Sequence, residues 1–191
     1  GNGISLHNIR TDGEAVQHEV NHHIIYDYIT YIGGESLILH EGLADAFVML
    51  RNKNSCLGEF LCPKKGICKS NKCLRSADNN MNLNDADFPY QPHVASQVVS
   101  GFIWDMTDKT NEKSYLEVAN LTYKALSLLS NAAGYEELMV NLLLADKNIY
   151  NGKYCKKIED IAKKRGFDKY ITDNKCSSQS LHKHLISQKK Y

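Results

Sequence analysis

The sequence lacks several features that would place it among fibrous, membrane-spanning or nucleic-acid-binding proteins. It has only 3 prolines and 12 glycines in 191 residues, which excludes collagen-like and low-complexity chains. It contains no apolar run of about 18 residues or more, so it predicts no membrane-spanning helix. Its formal charge is only +1, from 23 basic and 22 acidic residues, and this near-balance argues against a nucleic-acid partner.

What is present is typical of a globular domain with its own core. Apolar residues make up 42% of the chain and charged residues 24%. The length suits one domain, and we expect residues 1–191 to form it. Six cysteines are present, which favours disulfide bonds and an oxidising compartment. We therefore expect a secreted, periplasmic or cell-surface protein.

The hydrophobic periodicity is mostly helical, and the sequence predicts a mainly α fold. Val16, Val20 and Ile24 recur every four residues, and with Ile25 and Tyr28 they are predicted to form the side of the first helix that faces the protein core. The predicted helices cover about 13–30, 36–50, 92–106, 114–129, 135–147 and 154–165. Residues 52–91 show no such period and read as an insertion rich in Cys, Asn and Asp.

Four of the cysteines are crowded into this insertion. The gaps between Cys56, Cys62, Cys68 and Cys73 are five, five and four residues. Structural zinc sites favour tighter pairs, so the spacing favours two disulfides over a bound zinc ion. Three pairings are possible, and the spacing does not choose among them. A further bond between Cys155 and Cys176 could tie the last helix to the tail.

The segment His18-Glu19-Val20-Asn21-His22 carries the clearest chemical signal. Positions four apart lie one turn apart on the same helix face, so both imidazoles can reach one metal ion. Glu19 is rotated by about 100° from His18, which keeps it off the metal but close to the next coordination position. There it can take a proton from water.

The second predicted helix carries two carboxylates whose spacing from His18 and His22 along the chain suits a shared metal site. Glu41 follows His22 by 19 positions, which allows one helix to end and a second to return antiparallel. Glu41 would then face the two histidines as a third ligand. Asp45 lies one turn further along and can accept the distal N–H of a ligand histidine. Two carboxylates beside two histidines are costly to bury unless a cation lies among them.

HEVNH followed by HEGLAD resembles the gluzincin metallopeptidases, and Asp45 makes the resemblance closest to the thermolysin and fungalysin families. The spacing also matches the aminopeptidase N group, whose Asn-Glu-Gly-Phe-Ala segment is similar to residues 40–44. The resemblance implies a zincin-like helical subdomain and a single Zn²⁺. The implied zinc ligands are His18, His22 and Glu41.

Further residue roles follow from the same resemblance. Glu19 would be the general base, and Asp45 would orient His18. His93, at the start of a helix, would stabilise the oxyanion. Tyr90 is the alternative, because the aminopeptidase branch uses a tyrosine there, and His93 could instead be a plain surface residue.

The family also implies a partner lobe and a reaction. In thermolysin-like enzymes a β-rich N-terminal lobe precedes the metal-binding helix and pairs with the substrate, and this sequence resembles the C-terminal half alone. We therefore expect a zinc endopeptidase acting on peptides or proteins, completed by such a lobe. The alternatives are an aminopeptidase-like gluzincin and a non-catalytic, zinc-stabilised binding module derived from a peptidase. Ca²⁺ at the acidic run 78–87 is possible but unsupported, since no EF-hand pattern is present.

Overall fold

A computed structural model describes residues 12–59, 73–171 and 176, and in this part the fold is mainly helical, as predicted. Two short strands, β1 (Cys56–Leu57) and β2 (Arg75–Ser76), pair antiparallel. A 3-10 turn follows the last helix at Asp168–Tyr170. None of the described helices is both long and apolar enough to cross a membrane. The helices are α1 (Gly13–Tyr26), α2 (Gly34–Asn52), α3 (Pro92–Ala95), α4 (Gln97–Asp105), α5 (Glu112–Leu126), α6 (Tyr135–Tyr150) and α7 (Cys155–Arg165).

The first two helices form an antiparallel hairpin. The Asp12 side chain caps the start of α1 by accepting the backbone N–H of Glu14 at 2.9 Å, which satisfies a donor that the helix itself leaves free. Near this end of α1, Glu14 accepts a hydrogen bond from Asn52, the last residue of α2. Two turns further along α1, Asn21 donates to the carbonyl of Ala44 at 3.0 Å. The start of α1 thus contacts the end of α2, and the middle of each helix contacts the middle of the other, so the two helices are antiparallel.

The second helix lies at the centre of the molecule. It contacts α1, α3, α4, α5 and α6, and Leu39, Leu43 and Leu50 are buried. At Gly42 an added Cβ would lie 2.6 Å from Cβ of Val99 and 2.8 Å from the carbonyl oxygen of Ser96. A glycine is required there because α2 approaches α4 too closely for any side chain. This contact brings the α3–α4 segment against the middle of α2.

The predicted orientation of α1 is wrong. Val16, Val20 and Ile24 are 45%, 52% and 41% exposed, whereas His18 and Ile25 are buried. Those three apolar side chains lie on the side of the helix opposite His18, since successive helical residues differ by about 100°. The side that carries the histidines faces α2, and a continuous apolar stripe on the other side remains uncovered in the described structure.

Two disulfide bonds cross-link the described chain. Cys56 pairs with Cys73 and closes the β1–β2 region, and Cys155 pairs with Cys176, as the sequence suggested. The first bond removes both of its cysteines from any structural zinc site. Cys62 and Cys68 lie outside the described residues.

The Asn-rich part of the insertion is attached to the helical body through a buried arginine. Arg165, at the end of α7, is 1% exposed and donates to Asp105 Oδ2 and to Asn79 Oδ1, each at 2.9 Å. It also donates to the Asn79 carbonyl at 2.9 Å. The guanidinium packs directly over Gly101 of α4, where a Cβ would lie 2.6 Å from it. These contacts hold the chain that leads from β2 towards α3.

Candidate metal centre

Three side chains from α1 and α2 converge at one point of the hairpin. Nε2 of His18 lies 3.3 Å from Oε2 of Glu41, and Nε2 of His22 lies 3.5 Å from Oε1 of the same carboxylate. The two Nε2 atoms are 2.9 Å apart. One ligand atom from each of the three residues fits within 4.8 Å of the others, which is close enough to share one metal ion. The hairpin therefore brings together the two histidines and the glutamate predicted as ligands.

The chemistry of this cluster fits a cation. The side chains of His18 and Glu41 are 6% and 9% exposed, so water reaches them poorly. Oε2 of Glu41 is buried, and its contacts with Nε2 of His18 at 3.3 Å and with Nε2 of His93 at 3.5 Å are not well-formed hydrogen bonds. A buried carboxylate oxygen without a well-formed hydrogen bond carries a desolvation cost. A metal ion bound by His18, His22 and Glu41 would remove that cost, since imidazole nitrogen and carboxylate oxygen are common ligands of divalent transition metals.

The pKa values of the three proposed ligands are shifted in different directions. Burial alone would lower the pKa of His18, but its contacts with Asp45 and Glu41 outweigh burial and raise this pKa to about 9. Burial and the charge of His18 lower the pKa of His22. Burial alone would raise the pKa of Glu41, but its contact with His18 and the charges of His22 and His93 bring this pKa down to about 2. These shifts favour the charged forms of His18 and Glu41 over the charged form of His22.

A buried carboxylate contacts the ring nitrogen of His18 that does not face Glu41. Asp45 is 0% exposed, and its Oδ1 lies 2.8 Å from Nδ1 of His18. With Nδ1 held by this oxygen, Nε2 is the nitrogen that faces Glu41. Asp45 thus occupies the position expected for an orienting residue.

An arginine that the sequence analysis missed neutralises this carboxylate. Arg75 of β2 donates from Nε to Oδ2 of Asp45 at 2.6 Å and from Nη2 to Oδ1 at 2.8 Å. Such a two-point contact fixes the carboxylate plane as well as its charge. Because Arg75 lies two residues after Cys73, the Cys56–Cys73 bond helps to position the arginine at the metal site. Nothing in the spacing of the chain signals this contact.

The second ligand histidine is supported by another histidine. Nδ1 of His22 lies 2.6 Å from Nδ1 of His40, and the two rings are stacked with centroids 4.8 Å apart. Burial, followed by the charge of His22, lowers the pKa of His40 to about 4, so His40 is neutral at neutral pH. A single proton between the two Nδ1 atoms leaves Nε2 of His22 free to face Glu41. Sequence reasoning treated His40 only as a neighbour of Glu41.

The expected general base lies at the rim of this cluster. Glu19 is exposed and follows His18 on α1. Burial lowers the pKa of Arg75, but the hydrogen bond to Asp45 and the charges of Asp45, Glu41 and Glu19 together outweigh burial and raise this pKa. The Glu19 side chain remains accessible to solvent.

The two candidates for oxyanion stabilisation lie in different environments. Nε2 of His93, at the start of α3, is 3.5 Å from Oε2 of Glu41, and its side chain is 53% exposed. Its other nitrogen, Nδ1, lies 3.1 Å from Nε2 of Gln91. Tyr90 is 99% exposed, which offers its hydroxyl no fixed position. The structure therefore brings His93, rather than Tyr90, next to the group formed by His18, His22 and Glu41, which we call the ligand cluster.

The acidic run gives no support for a calcium site. Within the described residues, the groups of acidic, histidine and cysteine side chains close enough to share an ion do not include the run 78–87. Asp85 instead accepts the backbone N–H of Asn82 at 3.3 Å, as turn-forming aspartates do.

No protein-family model matches the chain, and no curated protein sequence matches it either. The geometry of the site is therefore the main indication of function.

Proposed function

We propose that this chain is the metal-binding half of a zinc-dependent endopeptidase. The observation that supports this most directly is the convergence of His18, His22 and Glu41 within 4.8 Å. Zn²⁺ suits two imidazoles and one carboxylate, and catalytic zinc sites characteristically use three protein ligands. Zinc held there would polarise a peptide carbonyl and let water lose a proton near neutral pH.

The remaining residues have complementary roles in this proposal. Glu19 accepts the proton that water loses when it attacks the scissile carbonyl, and then passes this proton to the nitrogen of the leaving amine. His93 donates from Nε2 to the carbonyl oxygen as negative charge develops there. Asp45 and Arg75 keep His18 in one orientation throughout. Glu19 is exposed and the His93 side chain is 53% exposed, which supports these roles because both groups are accessible to a substrate.

We expect Glu19→Gln to abolish peptide cleavage while leaving zinc binding intact. The amide has the shape of the carboxylate but cannot accept a proton, so kcat should fall by about 10²- to 10⁴-fold. Cleavage is measured by mass spectrometry on a mixed peptide pool, and zinc content by elemental analysis of the same samples. Amino-terminally blocked peptides should be cleaved, which separates an endopeptidase from an aminopeptidase.

Glu136→Gln is the matched control for this substitution, because Glu136 is an exposed glutamate in the first turn of α6. It should retain the unmodified protein's zinc content and cleavage rate. If a wild-type polypeptide that includes the expected β-rich lobe binds zinc and cleaves nothing, the chain is a non-catalytic binding module instead.

We also propose that the uncovered stripe of Val16, Val20 and Ile24 packs against a β-rich lobe that completes the enzyme. The three side chains lie on the side of α1 opposite the metal ligands, and exposed apolar side chains in a row commonly mark contact surfaces.

Substitution of Val20 tests that contact. In the 191-residue chain, Val20→Gln should change the free energy of unfolding by less than about 0.5 kcal/mol, because the side chain is 52% exposed. In a polypeptide that includes the lobe, the same change should lower both stability and peptide cleavage. The free energy of unfolding is measured by urea denaturation. If Val20→Gln changes it equally with and without the lobe, the proposed contact is wrong.

The two disulfides support a location outside a reducing cytosol. Disulfide bonds persist in secreted, periplasmic and cell-surface proteins. We therefore propose that the enzyme acts on peptides or proteins in such a compartment. Without the Cys56–Cys73 bond, Arg75 would lose part of the support that holds it at Asp45.

A further inference from the structure

A groove of about 680 Å³ lies between α1, the end of α2 and α5. One end of this groove is marked by the contact between Lys53, which follows α2, and Glu112, the first residue of α5. The other end lies towards Tyr123 of α5, whose hydroxyl oxygen is 3.1 Å from that of Tyr28. We call this feature the α1–α5 groove. The described residues that line it include none of the three proposed metal ligands, so it is a separate site.

Most of the surface of the α1–α5 groove is apolar. Leu50 and Tyr115 are buried residues of its lining. Leu116, Tyr123 and Ile24 also line it, and they are 67%, 47% and 41% exposed. Large apolar side chains that are exposed together commonly mark a binding surface. The groove therefore offers hydrophobic contact to a ligand along most of its length.

Positive charge is concentrated at one end of the groove. Arg51 and Lys53 come from the end of α2 and Lys113 from the start of α5, whereas Glu112 is the acidic residue among the described residues of the lining. Because Lys53 is paired with Glu112, the charges of Arg51 and Lys113 are not offset within the lining. An anionic group is therefore favoured at this end of the groove.

The apolar part of the groove suits a hydrocarbon chain better than a peptide. The side-chain amide of Asn21 already donates to the carbonyl of Ala44 at 3.0 Å, and the Tyr123 hydroxyl is already within hydrogen-bond distance of Tyr28. Few polar groups are left there for a peptide backbone, whose N–H and C=O groups are costly to bury without partners. Methylene groups need no such partners, and their removal from water is favourable.

We propose that the α1–α5 groove binds a free fatty acid. The hydrocarbon chain lies against Leu116, Ile24 and Tyr123, and the carboxylate pairs with Arg51 and Lys113. The volume of the groove is within the range of about 300 to 1,000 Å³ that is usual for small-molecule sites. This inference is independent of the proposed peptidase function, because the binding residues and the metal ligands are different.

The test compares decanoate with two probes that each change one part of it. Decyltrimethylammonium keeps the chain and reverses the charge of the head group, whereas butanoate keeps the head group and shortens the chain. Binding to the 191-residue protein is measured by calorimetry below the micelle-forming concentrations, once with zinc and once with a chelator. Decanoate should bind at least about a hundredfold more tightly than butanoate and about tenfold more tightly than decyltrimethylammonium. Its affinity should be the same with and without zinc.

Charge reversal locates the carboxylate. The double variant Arg51→Glu, Lys113→Glu should weaken decanoate binding by at least about fivefold and strengthen the binding of decyltrimethylammonium. Both side chains are exposed, so the fold should be retained. The double variant Lys147→Glu, Lys163→Glu is the matched control, because it makes the same change in net charge at exposed positions of α6 and α7. It should keep the wild-type affinities.

A second substitution locates the hydrocarbon chain. Leu116→Gln should weaken decanoate binding by at least about threefold, because it replaces apolar surface by an amide, and should leave butanoate binding unchanged. Ile149→Gln is its control, since Ile149 is a 41% exposed residue of α6 outside the groove. It should bind decanoate as the wild-type protein does.

Several results would overturn the inference. These are no binding of decanoate, equal affinity for decanoate and decyltrimethylammonium, or the same affinities in the Arg51→Glu, Lys113→Glu variant as in its control. An affinity for decanoate that depends on zinc would place the carboxylate at the ligand cluster instead. The blocked peptide N-acetyl-Asp-Leu-Leu-amide is measured alongside, in the presence of the chelator. If it binds more tightly than decanoate, the groove is a peptide-docking surface and the fatty-acid assignment is wrong.

Discussion

Asp45→Ala is expected to destabilise the metal-free protein by about 3 to 5 kcal/mol, because it removes the partner of a buried arginine. The Arg75 side chain is only 11% exposed, and its two shortest contacts are with the Asp45 carboxylate. Without that carboxylate, its charge stays in a poorly hydrated position. The free energy of unfolding is measured by urea denaturation in the presence of a chelator.

The same substitution should also weaken zinc binding by about 10- to 100-fold, since Asp45 no longer orients the His18 ring. The double variant Asp45→Leu, Arg75→Met separates the two effects. Replacing a buried ion pair by apolar residues of similar size is often close to neutral, so stability should largely return. Zinc affinity, measured by competition with a chelator, should stay low. If zinc affinity returned with stability, His18 would not depend on Asp45 for its orientation.

Much of the helical framework was predictable from periodicity and helix ends. In α6, Tyr135, Leu138 and Leu142 are all buried, and the predicted end of this helix differs from the observed one by only three residues. Because the large apolar residues of α6 all lie on one side of the helix, only that side could be predicted to face the core. The α1 prediction failed because this helix has two apolar sides, and the smaller one, with Ile25, also carries the histidines that face α2.

The candidate site was predictable where its residues are close along a helix or joined by a short turn. His18 and His22 share a face because they are one turn apart. Glu41 and Asp45 follow on the returning helix, and the seven-residue connection 27–33 leaves few ways to place them. These relations depend on local geometry, which periodicity describes well.

Contacts made through the insertion could not be predicted in the same way. Arg75 meets Asp45 across 30 positions of sequence, and its placement depends on which cysteines pair. Three pairings were open from spacing alone. His40 was given no role from the sequence for a different reason. Its position next to Glu41 describes its own helix, whereas its contact with His22 joins two helices.

Zinc is expected to stabilise the folded protein strongly, because the folded hairpin assembles ligands that the unfolded chain does not. At a free zinc concentration of about 100 to 1,000 times the dissociation constant, the free energy of unfolding should rise by about 2.7 to 4.1 kcal/mol. Mg²⁺ and Ca²⁺ should have little effect, since they prefer sites made of oxygen ligands. The measurement is urea unfolding at fixed free metal concentrations.

The neighbouring histidines of α1 supply a matched pair for this prediction. His22 faces Glu41, whereas His23 is exposed and points about 100° away around the helix. His22→Gln should lose most of the zinc-dependent stabilisation, and His23→Gln should retain it. Glu19→Gln should also retain it, since Glu19 acts on water rather than on the metal ion. Equal losses from the two histidine substitutions would mean that zinc binds elsewhere, and the His18, His22 and Glu41 cluster would then lose its assignment as the metal centre.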